Sequence, residues 1–346
     1  MQRVRNSIRT ALHSIGFLLL WMTTAVAADS VSGANVFVPQ STEARSIFHL
    51  SMFVLAITGI IFVVVFTLLV YSLSRFRARS GSANSEPAQV YGSTQIELAW
   101  TITPVLIVVV LFMATARAIH VLQDAPKPAN ALEVTVIGHQ FWWEYRYPKL
   151  GVVTANELHI PVSDPAHPTP TFMQLLSADT DHSFWIPELA GKTDLVPNHP
   201  NRMWMDPERT GIFVGQCAQY CGTQHAKMLL RVSVDSPEDF AKWVHEQRQP
   251  AITDERVAAG RRVFETTACL NCHSINGTIG NGRFGPDLTH LMSRATIAAG
   301  AALNTPENLR LWIQNPDAIK RGSLMPAMQL SKSDLEELVE YLETLH

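Results

Sequence analysis

Two long apolar segments constrain this chain more than any other feature of its sequence. Leu50–Tyr71 runs for 22 residues without a charged side chain, and Leu98–Ala116 runs for 19. As α-helices rising about 1.5 Å per residue, both are long enough to cross roughly 30 Å of hydrocarbon. Arg75, Arg77 and Arg79 place the loop between them in the cytoplasm, because basic residues are retained on that side. The segments predict a transmembrane hairpin whose two ends, and the whole chain after residue 120, face outward.

The N-terminus predicts the same orientation. Arg3, Arg5 and Arg9 precede an apolar run that ends at Ala25-Val26-Ala27, the arrangement of a secretory signal peptide cleaved after Ala27. An uncleaved N-terminal anchor is the alternative, because the apolar run is long. We predict a signal peptide over 1–27 and a hairpin over 40–122, with spans of about 48–73 and 97–119.

The exported part divides into two kinds of pattern. Residues 131–235 alternate short β-branched runs with clusters of Pro, Gly and Asp, which predicts a small β sandwich or barrel over 130–236. Residues 237–254 are assigned to a linker, although their sequence is compatible with a helix as well. Residues 255–346 show helical periodicity, with Thr305-Pro306 and Ser331 as helix N-terminal signals. The predicted fold class is a multidomain membrane protein: a transmembrane helical hairpin, a β barrel or sandwich, then an all-α domain. The net charge of −3 excludes a nucleic-acid partner.

The segment CLNCH at 269–273 is the attachment signature of a c-type haem. Cys269 and Cys272 form thioethers to the haem in such sites, and His273 binds the iron. A redox dithiol or half of a zinc site is the alternative, but no βαβ pattern or further cysteine pair supports it. Met325 is the predicted second axial ligand, because the proline after it holds the loop extended. Met328 is expected to pack against the porphyrin.

A second group of soft ligands lies in GQCAQYCGTQHAKM at 215–228. Cys217, Cys221, His225 and Met228 fall within one loop between two predicted strands. A disulfide is the alternative for two exported cysteines, but the number and softness of the side chains favour copper. Two thiolates that bridge two coppers require a further imidazole, and His182 supplies it from a strand-like run upstream. The sequence therefore predicts a dinuclear copper centre.

The hairpin, followed by DHSFWIPEL, GKTDLVPN and GQCAQYCGTQHAKM, resembles subunit II of the haem–copper cytochrome c oxidases, and the CLNCH extension resembles their fused, caa-type form. The resemblance implies a cupredoxin fold for the β domain and a CuA centre. The implied copper ligands are His182, Cys217, Cys221, His225, Met228 and the backbone carbonyl of Gln219. Most family members have glutamate at the position of Gln219, where it also holds magnesium; an amide lacks that charge, which puts magnesium in doubt.

The resemblance also implies roles outside the metal ligands. GHQFWWEYRYP at 138–148 matches the stretch through which the family accepts electrons, with Phe141 in place of the usual tryptophan and Trp142 and Trp143 beside it. Glu97 aligns with a glutamate at a site of proton uptake, although the helix dipole by itself explains an acid there.

The implied function is that of an oxidase subunit in a bacterial inner membrane, multi-pass and surrounded by lipid, with its copper and haem domains on the periplasmic side. It would accept electrons from a periplasmic cytochrome c or another donor through haem c. The CuA centre would pass them to subunit I, which reduces oxygen and translocates protons; subunit III is a further expected partner. The alternative is a membrane-anchored copper and haem electron carrier without an oxidase partner.

Overall fold

Two long helices begin the part of the chain that the structure describes. The computed structural model describes residues 34–77, 89, 91–123, 127–129, 131–164, 166, 168–252 and 254–346, so the predicted signal peptide lies outside the described residues. Helices α1 (Thr42–Arg75) and α2 (Thr94–Gln123) are both long and apolar enough to cross a membrane, and each extends beyond its predicted span. Most of their large apolar side chains are exposed within this chain. Lipid or other subunits must therefore cover them.

Ten strands come next and form two five-stranded sheets, which we call the β domain (residues 131–235). The orders are β3-β2-β1-β5-β8 and β4-β10-β9-β6-β7, with β1–β5 and β10–β4 parallel and the other pairs antiparallel. The strand bounds are β1 Leu132–His139, β2 Trp142–Tyr147, β3 Val152–Ala155, β4 Glu157–Pro161, β5 Thr171–Ser177, β6 His182–Trp185, β7 Thr193–Leu195, β8 Asn201–Met205, β9 Gly211–Cys217 and β10 Leu229–Asp235.

Alternating burial shows why these segments are strands of a sandwich. In β10, Leu230, Val232 and Val234 are buried and the residues between them are partly exposed, because successive side chains point to opposite faces. The buried faces of both sheets form one core that includes Trp143 and Phe184. The result is a cupredoxin-like sandwich, as predicted.

The hairpin is fixed to the β domain at both of its outer ends. Ser41 caps α1 by accepting a hydrogen bond from Ala44 N, and its hydroxyl donates to the carbonyl of Leu189. At the end of α2, the carbonyl of Leu122 accepts a 2.8 Å hydrogen bond from Trp204 Nε1. These contacts hold the β domain at the membrane surface.

A helix lies in the segment that the sequence assigned to a linker over 237–254. Helix α3 (Pro237–Gln247) packs on the β domain, where Trp243 stacks on His159 with ring centroids 4.4 Å apart. Tyr147 contacts Trp243 from the side, at a centroid distance of 5.3 Å. Only the few residues after α3 connect the β domain to the last part of the chain.

That last part, which we call the helical domain (residues 254–346), is helical except for a two-stranded ribbon. Thr305 and Ser331 cap their helices through side-chain oxygens that accept from Asn308 N and Asp334 N, as predicted. The elements are α4 Ala258–Thr266, α5 Cys269–Cys272, β11 Thr296–Ile297, β12 Ala302–Leu303, α6 Pro306–Gln314, α7 Pro316–Ile319 and α8 Lys332–Leu342.

Gly260 allows α4 and α8 to cross closely. A Cβ atom there would overlap the backbone carbonyl of Glu337 and lie 2.7 Å from Tyr341 Cβ. We expect Gly260→Ala to destabilise the helical domain by about 2 kcal/mol, because this overlap outweighs the ~1 kcal/mol that alanine gains in helix propensity. Hydrogen–deuterium exchange of α4 and α8 in the full-length chain should accelerate accordingly.

The matched control is Arg262→Ala, an exposed position on the same helix, which should exchange like the wild type. If Gly260→Ala exchanged like the wild type, α4 and α8 could move apart without loss of stability, and the helical domain would not require their close crossing.

Candidate metal centre and haem cavity

The pairing of β6 with β9 brings the first metal ligands together. Phe184 is opposite Cys217 in this pair, so His182 at the start of β6 lies beside the end of β9. The ligand atoms of His182, Cys217 and Cys221 lie within 4.8 Å of one another, and all three residues are buried. Among the described residues, no other group of histidine, cysteine and carboxylate side chains meets the same test.

The loop after β9 adds the remaining predicted ligands. His225 Nδ1 and Met228 Sδ each lie 3.8 Å from the sulfur of Cys221. The carbonyl oxygen of Gln219 lies 3.1 Å from the sulfur of Cys217. The structure thus brings together all six ligands predicted from sequence and family resemblance.

The two thiols are not joined in a disulfide. All four cysteines of the chain are free, and the sulfurs of Cys217 and Cys221 are 3.9 Å apart, against about 2.05 Å in a disulfide. A hydrogen bond from Cys221 lowers the pKa of Cys217 to about 3. The pKa of Cys221 is raised, first because its thiol donates that hydrogen bond to Cys217, and further because burial and the neighbouring negative charge disfavour a second thiolate. Ionising both thiols here requires a cation, which is what a bound soft metal supplies.

Asp179 is a residue of this site that sequence reasoning missed. Its carboxylate oxygens lie 2.8 Å from His182 Nε2 and 2.6 Å from Gln140 N, so His182 Nδ1 faces the cysteine sulfurs. Such a carboxylate fixes the orientation and tautomer of a metal-binding histidine. The sequence signal was an aspartate three residues before the histidine.

The helical domain contains a cavity of about 480 Å³ with a mainly apolar lining. All four predicted haem residues, Cys269, Cys272, His273 and Met325, line this cavity, and Met328 does too. The cysteines come from α5, and the methionines from the loop between α7 and α8. The side chains that CLNCH and the Met-Pro loop predict therefore converge on one space suited to a flat apolar group.

His273 is oriented as an iron ligand. Its Nδ1 lies 2.7 Å from the carbonyl of Pro286, which leaves Nε2 free. Burial lowers the pKa of His273, and this favours the neutral imidazole that binds metals. Glycine at position 285 allows the backbone to pass close to the imidazole of His273, because a Cβ atom there would lie 2.5 Å from Cε1 of the ring.

Residues of the β domain also line this cavity. Phe141 and Trp142 lie on its wall, and Trp142 stacks on His139 with centroids 4.2 Å apart. Trp143 points the other way into the core, where its ring lies 6.0 Å from that of His182. The aromatic stretch therefore runs from the cavity wall to His182, a predicted copper ligand.

Two further predicted residues are exposed. Gln219 is exposed, although its carbonyl oxygen lies beside the sulfur of Cys217. Glu97 lies in the first turn of α2 and is exposed within this chain. Neither residue contacts the haem cavity.

Comparison with known families accounts for most of the chain. Residues 30–116 match the transmembrane domain of cytochrome c oxidase subunit II, residues 165–235 match its periplasmic domain, and residues 257–346 match cytochrome c. The last match implies haem c, and the subunit II match implies copper.

Curated relatives match over most of their length. Cytochrome c oxidase subunit 2 of Alkalihalophilus pseudofirmus is 32% identical over 340 residues, which cover 96% of this chain and 95% of the relative. The proteins of the same name from Bacillus sp. PS3 and Bacillus subtilis are 30% and 31% identical, covering 78% and 80% of this chain and 80% and 81% of themselves. The chain therefore belongs to the cytochrome c oxidase subunit II family, in the form that carries a fused cytochrome c domain, and is a membrane protein with extracytoplasmic domains.

Proposed function

We propose that this chain is the electron-accepting subunit of a cytochrome c oxidase, with a dinuclear copper centre in the β domain and a haem c in the helical domain. The observation that carries the proposal is the convergence of six copper ligands around two thiols 3.9 Å apart. When bound, the haem and the copper ions supply reversible one-electron chemistry, so that an electron accepted outside the membrane reaches the oxygen-reducing subunit.

The β domain would hold both copper ions with little freedom to move. Cys217, Cys221, His182, His225, Met228 and the carbonyl of Gln219 would hold them. Asp179 fixes His182, and Gln140 Nε2 donates a 2.6 Å hydrogen bond to the carbonyl of Cys221. A site held in this way changes little in geometry when its charge changes, which favours rapid electron transfer.

The helical domain would hold the haem through four side chains. Cys269 and Cys272 would attach the haem through thioether links, and His273 and Met325 would be its iron ligands. The Pro286 carbonyl keeps His273 in the required orientation. The mainly apolar walls of the cavity exclude water from the bound group.

Oxygen reduction would take place on another subunit. The two spanning helices contain only His49 and His120, which cannot hold a haem and a copper within the membrane. Subunit I is the proposed partner for that chemistry, and subunit III a further one, in the inner membrane of a bacterium. Glu97, at the start of α2, is the candidate for proton uptake from the cytoplasm.

An electron carrier without an oxidase partner is the second candidate. The family membership favours the oxidase, because the full-length relatives are named as oxidase subunits. Purification of this chain from its native membrane distinguishes the two. If the chain is an oxidase subunit, a haem–copper subunit I should copurify with it. If the chain is an electron carrier, no such subunit should copurify.

Metal analysis tests the copper and haem assignments together. The purified chain should contain two coppers per haem, with an EPR signal split by one electron shared over both coppers. Cys221→Ser should abolish that signal and retain the haem, because the second bridging thiolate is lost. Cys272→Ser is the reciprocal control, expected to keep the copper and weaken haem attachment. Wild-type protein with haem, without copper and with both Cys217 and Cys221 oxidised would contradict the proposal.

The aromatic stretch can be tested by conservative replacement. Trp142→Phe and Trp143→Phe should slow electron transfer between the two centres, because Trp142 lines the haem cavity and Trp143 contacts His182. Flash reduction of the oxidase with absorbance detection measures this rate. Trp243→Phe, on α3, is the control that should keep the wild-type rate. If Trp142→Phe and Trp143→Phe both keep the wild-type rate as well, the stretch is not the route.

Gln219 can be tested for its effect on magnesium. Without a carboxylate at this position, the wild-type oxidase should retain little Mn²⁺ in place of magnesium, because hard cations prefer charged oxygen ligands. Gln219→Glu should increase the Mn²⁺ EPR signal, whereas Gln216→Glu, at another exposed glutamine nearby, should leave it unchanged. Equal Mn²⁺ retention in wild type and Gln219→Glu would show that the amide does not weaken the site.

A further inference from the structure

The haem cavity lies at a seam between the β domain and the helical domain. Gln140, Phe141, Trp142 and Asn156 of the β domain line it together with residues of the helical domain. The β domain is therefore one wall of the cavity, and separation of the domains would open that wall.

Glu157 at the start of β4 accepts three hydrogen bonds across this seam. Its carboxylate oxygens accept hydrogen bonds from Ala295 N at 2.9 Å, from Thr296 N at 2.9 Å and from Thr296 Oγ1 at 2.6 Å. Glu157 is only 7% exposed, and it forms no ion pair in the described part of the chain. A buried carboxylate without a cation requires such donors, and here the helical domain supplies three of them.

Lys320 makes the reverse contact from the helical domain. Its ammonium donates to the carbonyl of Phe141 at 2.6 Å and to that of Ala298 at 3.2 Å, and the residue is 3% exposed. No carboxylate of a described residue pairs with it, and burial lowers its pKa to about 7. Lysine is normally exposed, so burial of this side chain depends on the two domains being in contact.

The loop between β11 and β12 is shaped by the same seam. Ala298 and Ala299 have φ angles of +54° and +57°, a left-handed conformation that alanine rarely adopts. The carbonyl of Ala299 accepts a hydrogen bond from Leu229 N at 3.1 Å, and its side chain packs with Trp142 and Ala155. Contacts with the β domain thus stabilise a loop conformation that the sequence does not favour by itself.

The connection between the domains leaves little room for movement. Helix α3 is packed on the β domain, and Gln247 at its end donates to Ser293 Oγ of the helical domain at 3.2 Å. Further along, Ala251 N donates to the carbonyl of Asn276 at 3.1 Å. The connecting segment is therefore held at both ends.

Lys320 contacts the turn between β1 and β2 at Phe141, and this turn also contacts the loop after β9 that carries Cys221. Gln140 Nε2 donates to the Cys221 carbonyl, and a Cβ atom at Gly222 would lie 3.0 Å from the Phe141 ring. One short turn therefore joins the haem cavity to the loop of copper ligands, and its position relative to the helical domain is set by Lys320.

We propose that Glu157 and Lys320 are positioning residues that clamp the helical domain on the β domain in one fixed orientation. The helical domain therefore does not swing on the segment that connects it to α3. Each residue contributes its charged group to the other domain's backbone, at two separate points of the seam. The proposal rests on the haem and copper sites proposed above, and it concerns how the two are held relative to each other.

Electron transfer at varied viscosity tests the clamp in the purified oxidase. After flash reduction of the haem, the wild-type rate of transfer to copper should be independent of added glycerol and of salt, because no domain motion precedes it. Glu157→Gln replaces one acceptor oxygen by an NH₂ group, which faces the N–H donors of Ala295 and Thr296. Lys320→Met removes the hydrogen bonds that Lys320 donates to the carbonyls of Phe141 and Ala298. Each variant should slow transfer by roughly ten- to a hundredfold and make it fall with viscosity.

Hydrogen exchange gives a second readout that does not depend on electron transfer. The amides of Ala295, Thr296 and Leu229, which donate across the seam, should be protected in the wild type and exchange faster in both variants. Copper EPR and the absorbance of the methionine-bound haem should stay unchanged, which separates positioning from damage to either site. Glu238→Gln and Lys332→Met, at exposed positions, are the matched controls and should behave as the wild type.

Two results would overturn the clamp. One is a wild-type rate that already falls in proportion to viscosity; the other is wild-type transfer and seam protection in both clamp variants. Neither result depends on the identity of the metals. A wild-type sample that lacks copper or haem would instead contradict the proposed function.

Discussion

Two thiols buried side by side are the constraint on which the rest of this structure depends. Cys217 and Cys221 cannot both be ionised at 3.9 Å without a cation between or beside them. The pairing of β6 with β9 adds the His182 imidazole to the cysteines, and the buried rings of Trp143 and Phe184 pack beside it. The β sandwich thus places soft potential ligands in a buried position at one edge, which is the environment that the proposed metal centre needs.

The helical domain and the membrane hairpin are arranged around that edge. Polar contacts at Ser41 and Trp204 fix the β domain above the hairpin. On another face, Glu157 and Lys320 join the β domain to the helical domain through buried charges bonded to backbone groups. At both junctions the contacts are made by polar or charged groups, which are costly to bury without a partner. Each contact therefore favours the one arrangement of the two parts in which these groups are paired.

Much of the fold could be predicted because its signals are local in sequence. The charge-free runs are about as long as a membrane span, and each is continuous in sequence. Alternation in β10 and the caps at Thr305 and Ser331 likewise depend on residues close together in the chain. The ligand motifs are local too, since CLNCH and the loop at 215–228 each place several ligands within a short segment. His182 was reached through the chemistry of the site, which needed a second imidazole, and through family resemblance.

The residues that sequence reasoning missed act over long separations. The role of Asp179 depends on the fold, which places its carboxylate against Nε2 of His182 and so directs Nδ1 toward Cys217. The sequence left the segment of α3 as a helix or a linker, and the stacking of Trp243 on His159 fixes that helix on the β domain. Glu157 and Lys320 contact groups more than a hundred residues away, and in sequence both read as ordinary surface charges. The sequence by itself determined the membrane hairpin, the ligand types and the order of the domains, because each depends on composition or spacing within one segment. Only the tertiary structure decided which charges are buried and how the helical domain meets the β domain, because burial and pairing arise between segments that the chain alone keeps far apart.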